Sequence, residues 1–270
     1  MPEHAVALLL LGLVAGVMSG LFGIGGGVII VPALTIIMGY PLEEALGTSL
    51  AVLIWPVAIF AVIAYYRARL INIRAAVLIG LGLVIATLLG AQLAINLPRE
   101  TLQRLYGLFL VYIGWRFAEP RKALAALAAR LNGAPASDPG ESRLPAQPEA
   151  SSWLALLGIG LIAGIASGLF GIGGGVIIVP LLVGAMHFDQ KRAVGTSLAA
   201  LLPPVGIGGI ITYYNAGYIH IPTALTVAAG LVFGALGGAR IALGLPSATV
   251  KRLYGVFLLV ISLRFIFQIV

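Results

Sequence analysis

Cysteine is absent from the 270-residue chain, and charge is scarce: only 9% of the residues are Asp, Glu, Lys or Arg. The lack of cysteine excludes disulfides, thiol chemistry and Cys-ligated metal sites. Soluble domains carry about 25% charged residues and about 45–50% apolar ones. Because so little charge cannot cover a water-exposed surface, the composition excludes a soluble enzyme and a disordered chain.

Apolar sequence makes up most of the chain, with 60% hydrophobic residues and a mean hydropathy of +1.09. The apolar stretches are long enough for helices, whereas barrel strands would read as ~10-residue alternating segments. The sequence therefore predicts an all-α, polytopic membrane protein in a lipid bilayer. The net charge of +7 comes from basic residues between apolar segments, which is typical of the positive-inside rule and not of nucleic-acid binding. The apolar stretch 5–18 lacks a basic n-region and a cleavage site, so we do not interpret it as a signal peptide.

The chain contains an internal duplication. Residues 21–32 read LFGIGGGVIIVP, and residues 169–180 read the same. The offset of 148 then holds without a gap, and more than half of positions 12–117 are identical to their counterparts at 160–265. Such self-similarity predicts two homologous repeats. We assign transmembrane repeat 1 to residues 1–117, an interfacial helix and flexible linker to 118–152, and transmembrane repeat 2 to 153–270.

Each repeat is predicted to hold about five helical elements. The apolar segments run at about 5–22, 27–39, 45–66, 75–96 and 101–117, and again at about 153–170, 175–186, 193–214, 222–245 and 249–267. The third and fourth segments of each repeat are long enough to cross a bilayer of ~30 Å. The second, at about 12 residues, reaches only about 18 Å. A short segment that follows a glycine run is typical of a broken or re-entrant helix.

The basic loops indicate that the second repeat is inverted in the membrane. Loop 67–74 carries three arginines, whereas its counterpart 215–221 carries no Lys or Arg. The basic pair Lys191–Arg192 instead replaces Glu43–Glu44. This exchange of sides is expected of an inverted repeat. An inverted repeat needs an odd number of crossings, which results if segments one and two both cross or both turn back, because the other three segments then give odd parity. The alternative joins those two segments into one broken helix and gives a parallel repeat.

The glycine runs are the most informative motif for function. They comprise Gly23, Gly25, Gly26 and Gly27 in repeat 1 and Gly171, Gly173, Gly174 and Gly175 in repeat 2. Glycine permits positive φ and close approach of a ligand to the backbone. If the following VIIVP segments are helical, their free N–H groups and positive dipole ends form an anion site. The alternative is that the glycines only permit close helix packing.

Several polar residues inside apolar segments are further candidates. Ser19 and Ser167 precede the glycine runs by one helical turn, and two hydroxyl pairs start the third segments: Thr48, Ser49, Thr196 and Ser197. Those pairs either cap a helix or contact a substrate. Gln92 and Arg240 occupy equivalent positions of the two repeats, near the ends of the fourth segments, and are candidates for the substrate pathway. Arg240 is also close enough to the segment end for its side chain to snorkel to the membrane surface. Tyr65–Tyr66 and Tyr213–Tyr214 are interpreted as interfacial aromatic anchors.

All nine acidic residues fall in predicted termini, loops or the linker. Proton relays and many metal sites depend on embedded carboxylates. The sequence therefore predicts no catalytic residue, no metal and no cofactor, and it favours a neutral pocket of hydroxyls and amides that holds an anion.

The doubled GLFGIGGGVIIVP motif with a downstream GTSL resembles the sulfite exporter TauE/SafE family, also called the toluene-sulfonate uptake permease family. The resemblance covers both repeats. It implies a multi-pass inner-membrane secondary transporter of small sulfur-containing anions such as sulfite, sulfoacetate or other organosulfonates. It points to the glycine runs first, and to the hydroxyl residues second, as the substrate site. An anion channel of the same architecture and a non-transporting membrane protein are the alternatives.

Overall fold

The computed structural model describes residues 2–56, 58–118, 152–204 and 206–244, together with 259, 262 and 263. In these ranges every regular element is an α-helix, which confirms the all-α prediction. The helices are α1 (Pro2–Phe22), α2 (Gly27–Ile36), α3 (Leu42–Leu53), α4 (Ile59–Arg67), α5 (Ile73–Asn96), α6 (Arg99–Ala118), α7 (Trp153–Phe170), α8 (Gly175–Gly184), α9 (Gln190–Ala200), α10 (Ile207–Asn215) and α11 (Ile221–Gly244). Among them α1, α5, α7 and α11 are long and apolar enough to cross a membrane.

The chain divides into two compact units. One contains residues 1–97 and 149–245, and the other contains residues 98–148 and 246–270. The first unit holds ten of the described helices. The described part of the second unit is mainly α6, whose Arg104 and Glu100 side chains approach to 3.9 Å. The predicted interfacial helix and linker, and the predicted segment 249–267, lie almost entirely outside the described residues.

Two long helix pairs form the core of the first unit. Helix α1 packs on α11, and α5 packs on α7. Glycines line both seams: a Cβ atom on Gly16 would lie 2.8 Å from the Ala235 nitrogen, and one on Gly82 would lie 2.6 Å from the Leu157 oxygen. Small residues let helix backbones approach closely in a membrane, where packing replaces the hydrophobic effect as the driving force. Since Gly16 faces Ala235 and Gly12 faces Val227, α1 and α11 run in the same direction.

The short helices α2 and α8 begin directly after the glycine runs. The loop glycines Gly25 and Gly26 have φ of 81° and 87°, and Gly173 and Gly174 have φ of 77° and 85°. Residues with a Cβ rarely adopt this left-handed backbone, so glycine is required there. The structure thus confirms that the VIIVP segments are helical and shorter than a membrane span.

The predicted third segments, 45–66 and 193–214, are not continuous helices, which corrects the sequence analysis. Helix α3 ends at Leu53 and α4 begins at Ile59, with Pro56 between them. Helix α9 ends at Ala200 and α10 begins at Ile207, with Pro203 and Pro204 between them. Proline lacks an N–H and clashes with the preceding turn, so the helix stops. Residues 2–118 therefore hold six helices where about five were predicted.

The positions of Glu43 and Glu44 also differ from the prediction, because both lie in the first turn of α3. Glu43 lies in the first turn of α3, not in a loop, and only 6% of its surface is exposed. The helix begins at Leu42, three residues before the predicted segment start at residue 45. Glu43 is therefore a buried carboxylate in the first turn of a helix, where a loop position was predicted.

The first tyrosine of each predicted anchor pair is buried within the protein and not exposed as an aromatic anchor would be. Tyr65 and Tyr213 are 0% exposed. The Tyr65 hydroxyl donates to the Gly20 carbonyl at 3.2 Å, and the Tyr213 hydroxyl donates to the Gly168 carbonyl at 3.0 Å. A buried hydroxyl needs such a partner. These tyrosines therefore fix α4 against the end of α1, and α10 against the end of α7.

Candidate functional site

The two glycine loops, residues 23–27 and 171–175, contact each other through their backbones. A Cβ atom on Gly27 would lie 2.5 Å from the Gly171 carbonyl oxygen, and one on Gly175 would collide with the Gly23 carbonyl oxygen. Real Cβ atoms do not approach this closely, so only glycine fits at either position. The chain thus brings two loops 148 residues apart in sequence into one place.

Serines of the neighbouring helices hold the two loops. The Ser49 hydroxyl of α3 donates to the Gly171 carbonyl at 2.7 Å. The Ser197 hydroxyl of α9 donates to the Gly23 carbonyl at 2.9 Å. Both serines are 0% exposed. Because unwound backbone in a bilayer must be satisfied by protein, these two bonds fix the loop conformation.

The adjacent threonines make a second pair of long-range bonds. The Thr48 hydroxyl oxygen accepts the backbone N–H of His220 at 3.0 Å, and the Thr196 hydroxyl oxygen accepts the backbone N–H of Asn72 at 3.0 Å. Both threonines lie inside α3 and α9, not at the helix starts that the sequence suggested, so they do not cap their own helices. They tie those helices to the residues that precede α11 and α5.

A cavity lies beside the two loops. Its lining residues come from the ends of α1 and α7, the two loops and the two helix breaks: Ser19, Gly25, Leu50, Leu53, Ala58, Ser167, Gly173, Leu201 and Gly206. Its volume is ≈ 20 Å³, which is enough for about one water molecule. Leu50, Leu53 and Leu201 supply much of its apolar lining.

Ser19 and Ser167 are the polar side chains of this lining. Each is 1% exposed, and neither hydroxyl has a hydrogen-bond partner among the residues that the structure describes. Buried polar groups are nearly always paired, so an unpaired hydroxyl that faces a cavity indicates a function. The two hydroxyls therefore point to a polar guest in the cavity.

Two helix starts border the same cavity. Ala58 and Gly206, which line it, are the N-cap residues of α4 and α10, whereas Gly26 and Gly174, the N-caps of α2 and α8, directly follow the lining residues Gly25 and Gly173. No side chain caps any of these four helices. The first N–H groups of a helix lack intrahelical partners and can donate hydrogen bonds to a guest. Together with two hydroxyl donors, they can hold an oxyanion without a basic side chain.

The predicted site residues thus take different positions. Ser19, Ser167, Gly25 and Gly173 line the cavity. The other predicted glycines and the hydroxyl pairs of α3 and α9 lie around it and shape the loops. Gln92 and Arg240 are exposed and do not line it.

Sequence reasoning did not find the leucines and the N-caps of the lining. Leu50, Leu53 and Leu201 carry no chemical signal, because a leucine in an apolar segment is unremarkable. The N-caps Ala58 and Gly206 were missed because the third segments were taken as continuous. Pro56 was the available signal for that break.

The fold and this site define a multi-pass membrane protein with a small cavity between interrupted helices, into which two buried serine hydroxyls face. A family model described as sulfite exporter TauE/SafE matches residues 8–265. The chain is 31% identical to a probable membrane transporter protein of Methanocaldococcus jannaschii, over 87% of this chain and 85% of the relative. It is 27% identical to the probable membrane transporter protein YunE of Bacillus subtilis, over 97% of both chains. No solved structure matches the chain significantly. The chain belongs to the sulfite exporter TauE/SafE family and is a membrane transporter.

Proposed function

We propose that the protein is a secondary transporter that binds one small sulfur-containing anion, such as sulfite or an organosulfonate, between its two glycine loops. The cavity is then exposed alternately to the two sides of the membrane. The observation that carries the proposal is the pair of buried, unpaired hydroxyls of Ser19 and Ser167 in one cavity. Oxyanions accept several hydrogen bonds at once, and hydroxyls and helix N–H groups supply them.

We propose further that the two repeats are inverted relative to each other. On α9, the Thr196 hydroxyl accepts the N–H of Asn72 at the start of α5, and the Lys191 ammonium donates to the Leu243 carbonyl near the end of α11. Since these two α9 residues are five apart, the start of α5 and the end of α11 lie at the same end of the unit. Corresponding helices of the two repeats then run in opposite directions, which supports a twofold axis in the membrane plane.

A re-entrant pair of α1 and α2 gives the odd number of crossings that an inverted repeat requires. A Cβ atom on Gly26 would lie 3.4 Å from the Ala15 oxygen, so the loop turns back beside α1. Tyr40, which follows α2, bonds Thr223 at the start of α11, at 2.9 Å. Because the first part of α1 packs near that same end of α11, the chain returns to the side where it began.

The charges of the first unit support the orientation. The α4–α5 connection carries Arg67, Arg69 and Arg74, and it lies at the end of the unit where α9 begins with Lys191 and Arg192. Basic residues concentrate on the cytoplasmic side of membrane proteins. We therefore assign this end to the cytoplasm.

The size of the cavity argues against a permanently open pore. A volume of ≈ 20 Å³ is too small for an anion of several heavy atoms to pass, since it admits about one water molecule. Transport then requires the leucines at the helix breaks to move. Such a gated step is typical of alternating access and not of an open pore.

Uptake of sulfite and methanesulfonate into liposomes containing the purified protein tests the proposal. We expect saturable flux that exceeds that of protein-free liposomes and is lost in the Ser19→Ala/Ser167→Ala variant. A variant with a hydroxyl removed outside the cavity, Thr226→Val, should keep the flux, because the Thr226 hydroxyl bonds only Pro222 in its own helix. No flux for any sulfur oxyanion or sulfonate would contradict the proposal, and flux without saturation would favour a channel.

A further inference from the structure

We infer that the cavity selects singly charged anions and rejects dianions, so that sulfite is bound and carried as bisulfite. The inference rests on the proposed function and adds the charge state of the substrate. It comes from the chemistry of the cavity lining, which offers hydrogen-bond donors but no full positive charge.

The described lining contains serines, glycines, leucines and one alanine, and no titratable or basic side chain. A buried anion needs either a counter-charge or a dense set of donors. Ser19 and Ser167 provide two hydroxyls, and the helix starts provide backbone N–H groups. These donors suit one negative charge. The cost of transferring an ion out of water rises with the square of its charge, so a second negative charge costs far more than the first.

The helix dipoles do not supply the missing charge. Helices α2, α4, α8 and α10 begin beside the cavity, and each start contributes about half a positive charge. Helices α1, α3, α7 and α9 end beside it, and each end contributes about half a negative charge. The partial charges of the helix starts and helix ends nearly cancel. An anion is therefore held by hydrogen bonds from individual hydroxyl and N–H groups and not by a net positive charge of the helices.

No basic side chain of the described residues lines the cavity. Arg67 is the last residue of α4, at the end remote from the helix break, and Arg69 follows it; Lys191 and Arg192 lie in the first turn of α9. Lys191 bonds a carbonyl near the end of α11. These residues can attract anions of any charge to the cytoplasmic end, but they cannot neutralise a dianion within the cavity.

Transport of bisulfite has a consequence for coupling. The proton stays on the anion, so each sulfite moves with one proton and no carboxylate in the cavity is needed to carry it. Glu43 is a buried acid among the described residues, but it does not line the cavity. It lies in the first turn of α3, two to three helical turns before the lining residues Leu50 and Leu53.

Competition against labelled methanesulfonate in liposomes containing the full-length protein tests the inference. Methanesulfonate carries one charge at every pH used and controls for titration of the protein itself. We expect its apparent affinity to stay constant from mildly acidic to mildly alkaline pH. The apparent affinity for total sulfite should fall by about tenfold per pH unit once bisulfite loses its proton. Sulfate should compete at least about tenfold more weakly than methanesulfonate at every pH.

The inference is overturned if sulfate competes as well as methanesulfonate, or if sulfite affinity is constant or rises with pH while methanesulfonate affinity is constant. In both cases methanesulfonate still binds, so the proposed transport of sulfur anions survives. Absence of methanesulfonate and sulfite binding at all pH values overturns the proposed function and this inference together.

Discussion

Replacing Ser19 and Ser167 by alanine should weaken anion binding without destabilising the protein. Neither hydroxyl has a hydrogen-bond partner in the described part of the chain, although both are buried. Their removal therefore breaks no internal bond. A buried hydroxyl without a partner costs about 1–3 kcal/mol, so the free energy of unfolding should stay constant or rise by up to that amount per site.

Binding should change in the opposite direction. A hydrogen bond to a charged group contributes about 1.5–3 kcal/mol. Each substitution should therefore raise the Kd for an oxyanion by about 10- to 150-fold, since 1.4 kcal/mol is about tenfold. A simultaneous loss of affinity and retention of stability is the signature of a ligand-binding group.

Ser49 and Ser197 provide the matched control. Their hydroxyls are equally buried, but they donate to the Gly171 and Gly23 carbonyls at 2.7 and 2.9 Å. Ser→Ala at either position leaves a buried carbonyl without its partner, which costs about 1–3 kcal/mol of stability.

The assay combines thermal unfolding followed by tryptophan fluorescence with titration calorimetry of methanesulfonate, both on detergent-purified protein. Trp55, Trp115 and Trp153 supply the fluorescence. If Ser19→Ala lowers stability as much as Ser49→Ala, the cavity serine has a structural role. If it leaves the Kd unchanged, the serine does not contact the anion. Either result would refute the reasoning.

Three further outcomes follow from the packing. Gly27→Ala should prevent folding or lower the free energy of unfolding by more than about 3 kcal/mol, since its Cβ would lie 2.5 Å from the Gly171 oxygen. A Cβ at Gly158 meets nothing within 4 Å, so Gly158→Ala should stabilise α7 by up to about 1 kcal/mol. Thermal unfolding of the two variants compares these effects. Leu53→Ala and Leu201→Ala should enlarge the cavity and shift the binding preference from methanesulfonate to larger sulfonates. Competition binding measures the order of affinities, and an order unchanged from the wild type would contradict this expectation. Pro56→Ala should let α3 and α4 join and slow transport, while the protein stays folded by size-exclusion chromatography; unchanged flux would show that the break is not needed.

The glycine runs and short helices were predictable because their signals are local. A positive φ requires glycine, and a helix of ten residues is too short to cross the bilayer, whatever surrounds it. The same reasoning located Ser19 one helical turn before the loop. Local chemistry therefore gave the elements around the candidate site.

The partners of those elements were not predictable from the chain. Ser49 bonds Gly171, and Thr48 bonds the N–H of His220, which are 122 and 172 residues away. A hydroxyl in an apolar segment is compatible with capping, with a bond to its own helix or with a distant partner, and only the packing selects among these. The break at Pro56 had a local signal, but the apolar residues on both sides concealed it.

Titration calorimetry of the wild-type protein with methanesulfonate tests most directly whether the two loops form one shared site. Because both serines face the same cavity, the account predicts one bound anion per chain, and the Ser19→Ala and Ser167→Ala variants should each weaken that single event. Two independent anions per chain, each sensitive to only one serine, would contradict the shared cavity. The absence of binding heat, together with equilibrium dialysis that detects no bound methanesulfonate, would contradict it as well.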